Sequence, residues 1–246
     1  MTEPSSIGET GPGETLVAAD LAEHAAFTAE LMARAIDEAV RQRSVARVAL
    51  SGGNTPAEAY RRLAALDLPW ARVEWFWVDE RAVPPDSPRS NFHNASRDLG
   101  AAMQAGRVHR MEAEDPDLAA AARRYEALLR QRFGVASAVD FDAMTLGVGE
   151  DGHTASLFPG LGLTQIVDRL VVDVPPQPAK GLEARLTLTA PVVQAARLLL
   201  VLSAGAAKRE VLSRARSAGP EEEVPARVVH RTRGRLIWLL DAAAAG

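Results

Sequence analysis

The stretch Phe141-Asp-Ala-Met-Thr-Leu-Gly-Val-Gly-Glu-Asp-Gly-His-Thr-Ala-Ser-Leu-Phe-Pro-Gly160 carries the reading from which the fold follows. Residues 141–146 form an apolar run of buried-strand character. Gly147, Gly149 and Gly152 then let the backbone turn sharply and come close to a ligand, because no Cβ stands in the way. His153 closes the turn, and histidine is the side chain best suited to proton transfer near neutral pH. Asp151 precedes it by two positions. A strand, a glycine turn and an acid–histidine pair describe the mouth of an α/β sheet, where ligands bind outside the carboxyl ends of the strands.

The same alternation extends in both directions. Asp20 is placed to cap a helix that carries Leu21, Ala25, Leu31, Met32, Ile36, Ala39 and Val40 on one side. Residues 45–50 read as a short strand, and Pro56 suits the first turn of a helix over 57–66. Further strands are expected at 73–78, 141–148, 170–174, 185–188, 198–202 and 236–240. Helices are expected at 90–99, 116–133 and 206–216. Alternation of this kind predicts an α/β fold with a mostly parallel sheet covered by helices on both faces. The cluster at 219–225 reads as a surface loop rather than a domain boundary.

Composition narrows the possibilities. The 246 residues are 47% hydrophobic, ample for a core. A net charge of −4 argues against a general nucleic-acid binder. With no cysteine there is neither a disulfide framework nor a thiolate metal site. The five histidines are scattered without ligand spacing, so no metal site is expected. Residues 1–14 lack a basic and an apolar region and read as a flexible N-terminal tail rather than a signal peptide. No apolar stretch approaches the roughly 20 residues that span a bilayer. The expectation is a single α/β domain over 15–246 in the cytoplasm, with neither membrane nor nucleic acid as partner.

Three segments compete for chemistry at the strand ends. Ser51-Gly52-Gly53-Asn54-Thr55-Pro56 offers backbone N–H groups, two hydroxyls and a helix N-terminus, which suits an oxyanion. It equally suits a tight turn with Thr55 as helix cap. It is no Walker A loop, since the Gly-Lys-Ser/Thr ending is missing. Asp79-Glu80-Arg81 ends a strand with three charges, facing either a cleft or solvent. Gly147-x-Gly-x-x-Gly152 matches a dinucleotide fingerprint, but Pro159, Gly160 and Gly162 break the helix that fingerprint requires. That argues against a nicotinamide enzyme. Arg185 opens a strand, and Lys208, one of only two lysines, lies in the first turn of a helix, where an anionic ligand would offset the dipole.

Taken together these motifs resemble a known family. Ser51-Gly-Gly-Asn-Thr-Pro56, Asp79-Glu-Arg81 with Ser90-Asn91, Gly149-Glu-Asp-Gly-His-Thr-Ala-Ser-Leu-Phe-Pro159, Arg185-Leu-Thr-Leu-Thr189 and Trp238-Leu-Leu-Asp241 are similar to the 6-phosphogluconolactonases, in that family's order. The resemblance spans roughly residues 16–241. It implies a Rossmann-like α/β fold with a mostly parallel twisted sheet, shared with glucosamine-6-phosphate deaminase and ribose-5-phosphate isomerase. It implies hydrolysis of 6-phospho-D-glucono-1,5-lactone, the second step of the oxidative pentose phosphate pathway, with no required cofactor. The sister deaminases share the Ser-Gly-Gly loop and the Asp-Gly-His. Their pattern continues to a glutamate where this chain has Phe158, and reads Asp-Glu-Tyr where it has Asp79-Glu80-Arg81. Two small departures from the lactonase pattern are Phe92 in place of an aromatic with a hydroxyl and Asn54 in place of serine. A silent sugar-phosphate-binding module is a further alternative.

The resemblance also implies roles. His153 would move the proton of the attacking water. Asp151 would either orient His153 or hold the turn through the backbone, the second being favoured because residues two apart in a tight turn seldom meet. Arg81 and glycine-loop N–H groups would receive the oxyanion. Asp79 would hold a sugar hydroxyl or position Arg81. The phosphate would rest on Ser51, Gly52, Gly53, Asn54 and Thr55, clamped by Arg185 and Lys208. The partner is a small phosphorylated lactone, and the state expected is a monomer or small homo-oligomer.

Overall fold

The computed structural model describes residues 12–134 and 139–246. In order the chain runs β1 (Glu14–Ala18), α1 (Leu21–Arg43), β2 (Ala46–Leu50), α2 (Ala57–Ala64), β3 (Val73–Trp77), β4 (Asp79–Arg81), α3 (Asn91–Leu99), α4 (Ala101–Ala105) and β5 (Arg107–Val108). It continues with α5 (Leu118–Phe133), β6 (Ala143–Leu146), β7 (Val171–Val174), β8 (Arg185–Leu188), α6 (Ala190–Gln194), β9 (Leu198–Ser203), α7 (Arg209–Arg216), β10 (Arg235–Asp241) and α8 (Ala242–Ala245).

Seven strands form one sheet in the order β1-β10-β9-β6-β2-β3-β5, and every pair is parallel. Such strands are buried on both faces, which explains their continuous apolar runs. Period-two alternation then splits each strand between two cores. On one face Val73, Trp75 and Trp77 of β3 join Leu198, Leu200 and Leu202 of β9 and the α1 residues Met32, Ile36 and Ala39. On the other, Phe76 and Val78 join Leu199 and Val201, Trp238 and α5. The expected mostly parallel sheet with helices on both faces is what the chain forms.

Helix α1 begins where expected, with the Asp20 carboxylate accepting from the Glu23 N–H at 2.8 Å. Its apolar side is drawn differently, however. His24, Ala25, Thr28 and Ala29 are buried, whereas Leu21 is 62% exposed, so the buried side of the first two turns runs through His24 and Thr28 rather than through Leu21. The expected tail, 1–14, falls largely outside the described residues, and its last residue, Glu14, opens β1.

A second sheet, unexpected from the sequence, sits over the first. Its three strands, β4-β8-β7, are antiparallel. Asp79-Glu80-Arg81 is thus a strand of its own and not the end of β3. The Val78 N–H still bonds the Leu50 carbonyl at 3.0 Å and its carbonyl receives the Leu188 N–H at 2.8 Å, so residue 78 joins the two sheets. Glu126 of α5 holds the open side of β7. Burial alone would raise its carboxyl, but Arg130, Arg169 and the N–H groups of Leu170 and Val171 bring it down to about 2.

Candidate active site

The carboxyl ends of β2, β6 and β9 and the face of β4–β8 enclose a cleft of about 330 Å³. Ser51 to Thr55, Asp79, Arg81, His153, Arg185 and Lys208 all line it. The remaining residue of the expected set, Asp151, stands directly behind His153.

The loop after β2 is anchored from below. Thr145 Oγ1 of β6 accepts the Ser51 N–H at 2.9 Å, and the Tyr60 hydroxyl of α2 reaches both the Ser51 carbonyl (3.0 Å) and Thr145 Oγ1 (2.8 Å). Burial pushes the Tyr60 phenol up to about 12, so it stays a neutral clamp. The alternative of Thr55 as helix cap is not realised. Pro56 occupies the N-cap of α2 and no side chain caps the helix. The loop residues Ser51 to Pro56 that lead into that terminus line the cleft, and the positive end of a helix dipole is a favourable place for an anion. A Cβ on Gly52 would overlap the Asn91 carboxamide, so glycine is required where the loop passes β4 and α3.

The turn after β6 presents the histidine. The Gly149 N–H bonds the His153 carbonyl at 2.8 Å and the Gly152 N–H bonds the Gly149 carbonyl at 2.9 Å. A Cβ on Gly149 would strike the imidazole itself. Asp151 Oδ1 accepts the His153 N–H at 3.1 Å and also meets Nδ1 at 2.5 Å. Both roles weighed for Asp151, holding the turn and meeting the ring, are thus present, and the reason given against the second, that residues two apart seldom meet, does not hold here. The turn is tight enough that one carboxylate oxygen does both. A carboxylate at Nδ1 fixes the tautomer with Nδ1–H and leaves the Nε2 lone pair for chemistry. Phe158 packs on the imidazole with ring centroids 4.5 Å apart. No helix follows Gly152, as the proline and glycines foretold.

The β4–β8 face carries the charge. In its register Arg81 lies directly opposite Arg185. Like charges facing each other across a ladder are unfavourable, and an anion between them offsets that cost. Asp79 relieves part of it. Its Oδ2 lies 3.5 Å from Arg185 Nη1 and accepts the Ser156 hydroxyl at 2.5 Å, while its Oδ1 accepts Asn91 Nδ2 at 3.1 Å. Asp79 thus pairs with Arg185 and not with Arg81, whose Nη1 donates instead to the Arg89 carbonyl at 2.5 Å. The Nε atoms of both arginines are buried without a protein acceptor. Lys208 belongs to a short 3-10 turn ahead of α7 rather than to the helix, and its Nζ reaches across to the Val148 carbonyl at 2.9 Å.

Sequence reasoning passed over Ser156, Asn91 and Glu80. Ser156 and Asn91 stood inside quoted motifs, yet only the fold reveals that both hold Asp79. Glu80 points away from the cleft, where its carboxylate collects the N–H groups of Arg81, Asn91 and Phe92 and the Ser90 hydroxyl at 2.7–2.9 Å. Burial raises its carboxyl and these donors only partly counter it.

One cleft at the mouth of a parallel α/β sheet thus gathers a histidine, with its carboxylate behind it, and three cations. The family model for glucosamine-6-phosphate isomerases/6-phosphogluconolactonase matches residues 19–238, and the chain belongs to that family. It is 36% identical over 221 residues to a 6-phosphogluconolactonase of Nostoc sp., covering 87% of this chain and 90% of that protein. It is 38% identical to the 6-phosphogluconolactonase of Synechocystis sp., over 85% of this chain and 87% of the other. The structure of 6-phosphogluconolactonase from Trypanosoma brucei superposes with a TM-score of 0.83 at 27% identity, over 96% and 98% of the two chains.

Proposed function

We propose that this chain hydrolyses 6-phospho-D-glucono-1,5-lactone to 6-phospho-D-gluconate, the second step of the oxidative pentose phosphate pathway. The observation that carries the reading is the Asp151–His153 pair opening onto a cleft with Arg81, Arg185 and Lys208. The relatives named 6-phosphogluconolactonase support the same reaction.

A lactone is an internal ester. His153 Nε2 takes a proton from water as its oxygen bonds to C1. Negative charge develops on the carbonyl oxygen and is met by the Arg81 guanidinium; the Gly149 and Gly152 N–H groups are spent inside the turn. As the C1–O5 bond breaks, the imidazolium returns the proton to O5, and Asp151 stabilises the cation in between. The phosphate rests on the Ser51–Thr55 loop with Arg185 and Lys208 around it, which anchors C1 at His153. Asp79 positions Arg185. Phe158 against the imidazole speaks against the deaminase reaction, because a phenyl ring supplies none of the polarisation that the glutamate of that pattern gives. The reading carries with it a small soluble substrate, a cytoplasmic site of action and a monomer or small homo-oligomer.

The test is hydrolysis of freshly generated lactone at mildly acidic pH, with product read through 6-phosphogluconate dehydrogenase. His153→Ala is expected to lower kcat by about 10²–10⁴-fold with little change in KM, the usual range for general acid–base work. Wild-type protein that leaves the spontaneous rate unchanged rejects the reaction. Full activity in the variant moves the base elsewhere.

A further inference from the structure

The face of β4 that turns away from the cleft carries Glu80, a carboxylate with 4% of its surface exposed. We infer that Glu80 is a positioning residue that sets the geometry of the cleft through Arg81 and Asn91. The inference rests on the reading of the cleft given under Proposed function.

Three observations lead to it. First, Glu80 Oε1 accepts the N–H groups of Arg81 (2.7 Å) and Asn91 (2.8 Å), and Oε2 accepts the Phe92 N–H (2.8 Å) and the Ser90 hydroxyl (2.9 Å). Those donors belong to β4 and to the first turn of α3, so one side chain fastens the strand to the helix. Second, the segment it fastens orients both polar groups on the opposite face. The Arg81 guanidinium donates to the carbonyl of Arg89, the residue before Ser90. The Asn91 amide donates to the Asp79 carbonyl and carboxylate at 2.9 and 3.1 Å. Third, the Asn91 carboxamide fills the space beside Gly52, so the same joint abuts the anion loop.

Ser90 caps α3 by accepting the His93 N–H at 3.1 Å, and Glu80 takes the two helix N–H groups ahead of it, so the buried carboxylate closes the helix N-terminus while the same oxygens reach β4. Holding four donors at once fixes the relation between strand and helix, on which Arg81 and Asp79 depend. A displacement of about 1 Å at such groups costs on the order of 10²-fold in rate.

The test is a thermodynamic cycle on kcat/KM at a temperature well below every Tm. Glu80→Gln keeps the shape but places an amide against backbone donors, and is expected to lower kcat/KM by about 10- to 100-fold. In an Arg81→Ala/Asn91→Ala background the same change is expected to cost less than about twofold, because the groups it positions are gone. Its effect on Tm should persist in both backgrounds. An equal loss of kcat/KM in both backgrounds, or a Tm loss without any kinetic loss, overturns the inference. If Glu80→Gln does not fold, Ser90→Ala removes one donor and gives a graded form of the same cycle. Affinity for 6-phosphogluconate, measured by calorimetry across the same four proteins, keeps the positioning test independent of the reaction. Wild-type binding without turnover would reject the proposed function and leave this cycle readable.

Discussion

A methyl group at position 149 would occupy the space of the His153 ring, while the backbone of residue 149 still holds the His153 carbonyl at 2.8 Å. Gly149→Ala is therefore expected to keep the turn and push the imidazole off its position. The expected outcome is a kcat lower by about 10- to 100-fold with KM nearly unchanged, since the phosphate contacts lie on other loops. Steady-state kinetics with a parallel melting curve separates this from unfolding. Asp151→Asn examines the other side of the ring. An asparagine retains a partner for Nδ1 but does not stabilise the imidazolium, so kcat should fall at least about tenfold while Tm changes little. Arg185→Ala and Lys208→Ala should mainly raise KM, and comparison with inorganic phosphate as inhibitor shows whether the affinity lost is for the phosphate. At this scale the sequence was informative. The glycines, the histidine and the distal cations stood in recognisable strings, and the cleft gathers them. What stayed illegible was pairing: that Asp151 would reach the ring across a two-residue span, and that Asp79 would face Arg185 rather than Arg81, depend on backbone angles and on strand register.

Among the elements, the five inner parallel strands announced themselves as apolar runs and the longer helices by their apolar spacing, whereas the edge strands β1 and β5 and the short helices α4, α6 and α8 did not, β5 being only two exposed residues. The small antiparallel sheet was legible only in part. The runs at 170–174 and 185–188 are strands as expected, but β4 was hidden because its charges imitate a strand end, and nothing in the short runs showed that the three pair antiparallel outside the main sheet. Yet that sheet supplies Arg81, Asp79 and Arg185, so much of the cleft's charge rests on a part of the fold only partly visible in the sequence. The loop after β2 depends on a clamp that was equally hidden. Tyr60, the fourth residue of α2, reaches back to Ser51 and Thr145 through its hydroxyl. Tyr60→Phe leaves the Ser51 carbonyl without that buried donor, at a cost of about 1–3 kcal/mol. Denaturant unfolding should show that loss. If the loop is the phosphate cradle, KM should rise as the loop loosens while kcat at saturation holds. A stability loss with unchanged KM would detach the clamp from the binding role.

For the molecule as a whole, acid is the condition that should reveal how its histidines are held. His24 of α1 lies under the sheet with Nε2 on the Leu239 carbonyl at 3.1 Å. His109 stacks on Phe76 with centroids 4.7 Å apart, and His230 lies edge-on to Trp238 at 6.4 Å. Burial holds all three below the ordinary histidine value of 6.5. Below that value the unfolded chain takes up protons that the folded chain refuses, so stability falls as pH falls, by up to about 1.4 kcal/mol per pH unit for each such group. Glu126 adds a lower window. Its carboxyl ionises at about 2 in the fold against an ordinary 4.5, so the tie between α5 and β7 contributes fully above the upper value and fades as pH drops toward the lower. The three histidines and Glu126 should therefore bend the stability curve downward below about 6.5 and again below about 4.5, while Glu80 and Asp142, whose carboxyls burial raises, oppose them by taking up protons in the fold before the unfolded chain does. His24→Gln isolates one contribution, because the glutamine amide can still donate to Leu239 without taking up a proton. Urea unfolding between pH 5 and 7 should show a shallower slope in that variant, by up to one proton's worth, and a common offset in its place. An unchanged slope would mean that His24 titrates alike in the folded and unfolded chain, and that its place beneath the sheet costs the molecule nothing in acid.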